Sequence, residues 1–269
     1  MGNKGDLETM IKHTETEEPK ILTLDIETSP IVAYTWGPKW ETNIIDFVEH
    51  SQIICYSAKW LNGPQVTKGL VDYKGYKPGK LNDTKLLKDI HTLIDEADII
   101  VTQNGVSFDM KTLNARFMAR GMNPPSPYKN IDTKIEMKKV ARLPSYKLDD
   151  MGDYLSIGRK IEHEGFDLWK KCASGDKKAW KMMKDYNAQD VLLTEKLYLK
   201  IRPFMKTHPN VAAFSEAENC PKCDSSNAQR RGFQYNNTVK YQRYQCNDCH
   251  GWYRGSKGIK LAHKPGTNI

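Results

Sequence analysis

Four of the six cysteines stand in two C-x-x-C pairs, Cys220/Cys223 and Cys246/Cys249, with 22 residues between the pairs. Two residues between thiols let both sulfurs turn toward one ion, and two such pairs complete the tetrahedral thiolate shell that Zn²⁺ takes. The flanking sequences, NCPKCD and QCNDCHG, supply the small and polar residues that tight turns need. Disulfides are the alternative. A reducing compartment disfavours them, and the first twenty residues, charged and without an apolar centre, do not read as an export signal. A segment this short cannot bury a core of its own, so one structural zinc must supply much of its folding energy. Cys55 and Cys172 stand alone and read as small core residues.

Ahead of the cysteines lies a longer body. From Pro19 to Arg202 short β-type runs alternate with amphipathic helical runs, the pattern of an α/β domain. KILTLDIE reads as a strand, IVAYTW as its sequel, and QIICYSAKW and QVTKGLVD as further strands around a turn at Asn62-Gly63-Pro64. Leu86, Leu87, Ile90, Leu93 and Ile94 recur at helical spacing behind Asp83 or Thr84 as cap. DIIVTQ is a buried strand, and helices are expected at about Phe108 to Arg120, Leu148 to Leu155 and Asp176 to Arg202. The expected organisation is a disordered segment 1–18, a main domain 19–205, a linker 206–215, a zinc ribbon 216–256 and a flexible tail 257–269.

Charge is uneven along this chain. There are 41 Lys+Arg against 33 Asp+Glu, but the 64 residues from Lys206 onward hold 10 basic and 4 acidic groups, a net of +6, leaving +2 for the first 205. Clustered cations suit a polyanionic partner, because binding releases counterions from phosphates; a merely solvated surface is the plain alternative. Four thiolates with one Zn²⁺ carry −2, so binding would fall to projecting groups. Arg230, Arg231, Arg243 and Arg254 are the candidate substrate-binding cations, with Lys240 and Lys257 beside them. They interleave with Phe233, Tyr235, Tyr241, Tyr244, Trp252 and Tyr253, which serve equally to stack bases or to build the ribbon's small core. No apolar run approaches the roughly 18 residues of a membrane span, so a soluble cytoplasmic protein is expected, in the host cytoplasm if a virus encodes it.

Three short segments carry the chemistry. In LTLDIETS, Asp25 and Glu27 are two apart on a strand and therefore point to one face, while Leu24 and Ile26 go into the core. Two acids on an otherwise buried strand are costly to desolvate unless paired or bound to a cation. In QNGVSFD, Asp109 opens a helix after a strand, where a carboxylate can serve simply as a cap, and Asn104-Gly105 makes the turn. In YNAQD, Tyr186 and Asp190 are four apart on one helix face, with Val191, Leu192, Leu197 and Tyr198 packing that helix on the sheet.

Taken in order, LDIET, NGVSFD and YNAQD resemble the three motifs of the DEDD 3′–5′ exonucleases of the ribonuclease H-like fold, in the tyrosine subgroup that includes polymerase proofreading domains. The resemblance covers about residues 20 to 202 and does not extend to the four-cysteine module. It implies a mixed sheet flanked by helices, and a nuclease fused to no more than its ribbon. An all-oxygen set suits Mg²⁺ or Mn²⁺ rather than zinc. Two ions would clamp the attacking and leaving oxygens of a phosphodiester. The resemblance makes Asp25 the bridging ligand, with Glu27 and Asp190 on one ion and Asp109 on the other. Tyr186 would orient the attacking water, and Asn104 would touch the terminal nucleotide or support the site. The expected activity is hydrolysis at single-stranded ends, DNA ahead of RNA, with a replication or repair protein as a second candidate partner of the ribbon. A structure-specific endonuclease on the same fold and a non-catalytic nucleic-acid-binding adaptor are the competing expectations.

Overall fold

A computed structural model describes residues 18–37, 43–215 and 217–261. The expected N-terminal disordered segment lies almost wholly outside the described residues. Among them the chain divides into two compact units, Lys20–Leu199 and the residues from Lys200 onward.

The first unit is built on a five-stranded sheet. Its strands are β1 (Ile21–Thr28), β4 (Ile53–Trp60), β5 (Gln65–Gly69), β6 (Ile99–Thr102) and β7 (Lys129–Asp132), in the order β5-β4-β1-β6-β7. β1 runs antiparallel to β4 and parallel to β6, so the sheet is mixed. Two further strands, β2 (Val32–Thr35) and β3 (Ile44–Glu49), pair only with each other. The helices are α1 (Thr84–Asp95), α2 (Asp109–Ala119), α3 (Thr133–Val140), α4 (Leu148–Tyr154), α5 (Phe166–Ala173) and α6 (Lys177–Ile201).

β1 lies at the centre of the sheet: Leu22, Leu24 and Ile26 on one of its faces are buried and pack with Ile53, Leu87, Ile90 and Leu113 in one core, while Ile21 and Thr23 are buried on the face that carries Asp25 and Glu27. The helical stripe read from α1 lands in that core, with Leu86, Leu87, Ile90 and Ile94 fully buried. Asp83 precedes α1 but makes no side-chain cap bond. It is instead fully buried between Arg116, at 2.7 and 2.8 Å, and Arg120, at 3.0 and 3.1 Å, and accepts the Ile53 amide. A buried carboxylate satisfied on this scale ties α1, α2 and β4 together.

Several elements depart from the sequence reading. QVTKGLVD leaves the sheet at Gly69 and closes as a 3-10 turn, Leu70–Asp72. β3, β7, α3 and α5 were not anticipated; α3 and α5 are each only eight residues long, too short for a clear 3.6-residue period.

The second unit contains β8 (Ala228–Tyr235), β9 (Val239–Cys246) and β10 (Trp252–Lys260) as an antiparallel sheet in the order β10-β9-β8. Residues expected to form a flexible tail from 257 instead complete β10 as far as Lys260; 262–269 lie outside the described residues. The expected linker carries a 3-10 turn, Val211–Phe214, whose Val211 is buried and donates its amide to the Pro221 carbonyl at 2.9 Å.

Candidate metal-dependent active site

Because β1 and β6 are parallel neighbours, their C-terminal ends lie side by side, and the segments leaving the two strands share one edge of the sheet. Asp25 and Glu27 stand near the end of β1, and the chain leaving β6 enters α2 at Asp109 through residues 103–108. That turn is tight. Asn104 takes a φ of 65°, and a Cβ on Gly105 would lie 2.4 Å from the Thr102 side chain, so only glycine fits. Asp132 at the end of β7 holds the turn by accepting the amides of Asn104, at 3.0 Å, and Val106, at 3.2 Å, and it also caps α3.

α6 completes the arrangement. Carboxylate oxygens of Asp25, Glu27 and Asp190 all lie within 4.8 Å of one another. Asp109 is not in that group; its buried carboxylate accepts the Ile26 amide at 3.3 Å, directly behind the β1 acids. Tyr186 is on the same face of α6 as Asp190, and Asn187 donates to Asp25 Oδ2 at 2.5 Å. Asn104 turns its side-chain oxygen to Lys134 Nζ and Ser107 Oγ, each at 3.0 Å, which fits a supporting role in the turn.

Like charges this close are expensive. Burial, then the charges of Asp109, Glu27 and Asp190, holds the Asp25 carboxyl well above the usual carboxylate range. Burial and Asp190 push Glu27 up to about 8, and burial pushes Asp109 up to about 7. The described cation facing them is Lys160, whose Nζ lies 2.6 Å from Asp190 Oδ2 and 2.6 Å from the Tyr186 hydroxyl. Burial raises the Tyr186 phenol, and the Asp190 charge raises it further, so it is neutral near pH 7. His163 packs edge-on against its ring at 4.6 Å between centroids.

Asp190 Oδ1 is buried and has no hydrogen-bond partner. A carboxylate oxygen left so, beside two more carboxylates, fits a hard divalent cation with oxygen ligands. Among the described residues the acids therefore suit Mg²⁺ or Mn²⁺. The cysteines form a separate group. Their four sulfurs lie within 4.8 Å of one another, with Cys220–Cys249 and Cys223–Cys246 both 3.6 Å apart. Tetrahedral Zn–S bonds of about 2.3 Å give an S–S edge of about 3.8 Å, far from a disulfide. Both knuckles place the residue after their second cysteine at positive φ, Asp224 at 57° and His250 at 60°. Gly251 donates its amide to Cys249 Sγ at 3.4 Å, and a Cβ there would meet that sulfur at 3.2 Å.

Lys160 and Asn187 were missed by sequence reasoning. Asn187 sits inside YNAQD and had a signal by position; Lys160 lies in the loop GRKIEHEG, where its charge is indistinguishable from a solvated one. A cavity of about 650 Å³ beside the acids is lined by Asp25, Asn104, Lys134, Lys138, Lys147, Lys160 and Asp190 among others, and the other three of its four lysines were missed for the same reason as Lys160.

The family model of the RNase_H superfamily matches residues 41–202, more than half of the chain, and the chain belongs to that superfamily. Asp25 and Glu27 precede the matched stretch. The fold is similar to that of a family B DNA polymerase from the hyperthermophilic archaeon Pyrobaculum calidifontis, with a TM-score of 0.54 and 14% identity over 82% of this chain. The chain spans about a third (32%) of that polymerase's length. No curated protein sequence matches it. Fold and family make this a ribonuclease H-like protein of the nuclease type, and no helix among the described residues is long and apolar enough to cross a membrane.

Proposed function

We propose that the chain is a 3′–5′ exonuclease acting on single-stranded nucleic-acid ends. The observation that carries this reading is the partnerless, buried Asp190 Oδ1 within a cluster of mutually repelling carboxylates, next to a tyrosine held by a lysine. Asp25, Glu27 and Asp190 would hold one Mg²⁺ or Mn²⁺ and Asp109 would contribute to a second, and such ions supply charge neutralisation and an activated water for phosphodiester hydrolysis.

The remaining work falls to the chain's own groups. Asn187 fixes the Asp25 carboxylate through its amide. Lys160 and the Tyr186 hydroxyl both hydrogen-bond to Asp190, which favours its ionised, ligating form against burial. A neutral Tyr186 hydroxyl orients a water by hydrogen bonding and does not act as a free phenolate. Lys134, Lys138 and Lys147 line the cavity beside the acids, where strand phosphates would lie. The likeness in fold to a DNA polymerase supports DNA ahead of RNA.

The test uses 5′-labelled single strands of DNA and RNA, with free and blocked 3′ ends, in Mn²⁺, with Asp25→Ala as control. Stepwise shortening and mononucleotide release from free 3′ ends alone is the expected result. Internal cleavage of the blocked strand would establish the endonuclease instead, and no hydrolysis of either would favour the adaptor.

A further inference from the structure

In the zinc module, residues paired across an antiparallel sheet share a face and neighbours along a strand alternate. On one face Tyr244 of β9 stands opposite Tyr253 of β10 and Arg230 of β8. Tyr253 packs against the cysteine cluster and stacks on Tyr244 at 5.2 Å, so these two aromatics build the ribbon's core. Arg230 belongs to this knuckle side.

The other face has a different chemistry. It carries Tyr241 and Arg243 of β9 beside Trp252 and Arg254 of β10. Arg231, in the irregular stretch of β8, reaches the same face through Gln245 at 3.4 Å. Arg243 and Arg254 stand directly opposite each other, an arrangement that destabilises an antiparallel pair. Among the described residues none of the three arginines has a carboxylate partner to offset it. Instead Arg254 lies over the Tyr241 ring at 4.0 Å and Arg243 over the Trp252 ring at 5.1 Å. Arg243 uses its Nε–H on the Arg231 carbonyl at 2.9 Å, which leaves its two terminal amino groups for other partners. Trp252 is 46% exposed.

We infer that this face, Arg231, Tyr241, Arg243, Trp252 and Arg254, is a second nucleic-acid site that holds a single strand, its phosphates on the arginines and its bases on the Trp252 ring and the guanidinium planes. An opposed, aromatic-braced arginine pair without carboxylates is stabilised by an arriving polyanion, and the open ring gives a base a stacking surface that an acidic peptide would not need. The net +6 of the C-terminal 64 residues favours the same class of partner. Arg230, read from sequence together with these arginines, takes no part because it faces the other way. The site does not depend on the chain being a nuclease.

The experiment measures binding of a dye-labelled single-stranded DNA by fluorescence anisotropy across a salt series. It uses the full chain with zinc bound and no added Mg²⁺ or Mn²⁺, so that binding is read without hydrolysis. Substituting Arg231→Gln, Arg243→Gln and Arg254→Gln together is expected to weaken binding at least about tenfold and to flatten the log K against log salt slope by about 2, at about 0.7 per lost phosphate contact. Trp252→Leu is expected to weaken binding with the slope unchanged, because stacking releases no counterion. Arg230→Gln is expected to change affinity less than about twofold. Zinc content reports whether each variant keeps its ribbon. If the triple variant releases zinc, the three single substitutions decide the matter, each lowering the slope by about 0.7. Wild-type affinity and slope in a zinc-loaded triple variant would overturn the inference. So would displacement of the strand by polyglutamate as readily as by unlabelled DNA, which would make the face a protein dock.

Discussion

Glu27→Gln is expected to stabilise the metal-free protein at neutral pH while removing most of the stability that Mg²⁺ adds. The Glu27 carboxyl titrates near 8 in the folded chain against an ordinary value of 4.5, because burial and the Asp190 charge disfavour its ionised form. A folded pKa raised in this way means that the native state holds the proton more tightly than the unfolded one. The resulting stability is complete below about pH 4.5 and is lost as pH rises through about 8. At pH 7 a single group with these two values has given up about 3 kcal/mol. Glutamine does not titrate, so it removes that loss, although its amide must find partners in the site; a net gain of about 1–3 kcal/mol remains. At about 2–4 °C per kcal/mol for a unit of this size, the variant is expected to melt about 3–10 °C above wild type near pH 8 and level with it near pH 4. Far-UV circular dichroism melts in metal-free buffer measure this. Mg²⁺ at a hundred times its Kd adds about 2.7 kcal/mol to a native state that binds it, and the variant is expected to lose most of that increment. A wild-type Tm that stays flat from about pH 5 to 8, or a variant less stable at every pH, would refute the account of Glu27 as an acid buried among like charges.

Asp25→Asn and Asp190→Asn are each expected to abolish hydrolysis while strand binding survives, checked by product release and anisotropy on one preparation. Tyr186→Phe keeps the carboxylates and is expected to retain a residual rate, reduced about 10²-fold in kcat with KM little changed. Lys160→Met removes the cation that lowers the Asp190 pKa, so the acid limb of the pH–rate profile is expected to move to higher pH; an unmoved limb would exclude that role. Cys246→Ser is expected to reduce bound zinc from one per chain to none and to unfold the ribbon, with the Lys20–Leu199 unit still melting cooperatively; full zinc retention would contradict the four-thiolate assignment.

Local chemistry made part of this protein legible in the sequence. Strand β1, helix α1 and the long α6 announce themselves because a run of eight to twenty-five residues shows its period clearly. Two residues between cysteines, or one between Asp25 and Glu27, place side chains together whatever the rest of the chain does. Hence the acids, Tyr186 and the cysteines could be picked out in advance. Tertiary structure alone decided what those groups meet. Only the parallel pairing of β1 with β6 brings Asp109 behind Asp25. Lys160 reaches Asp190 across 30 residues, and no local pattern encodes a contact at that range. The faces of the ribbon were hidden for a related reason: alternation along β8 parts Arg230 from Arg231, but only the pairing of β8 and β10 with β9 decides which side meets the cysteine cluster. Burial and pairing across a sheet are properties of the closed fold, and they set which of several identical charges is neutralised, which is stacked and which is left for a ligand.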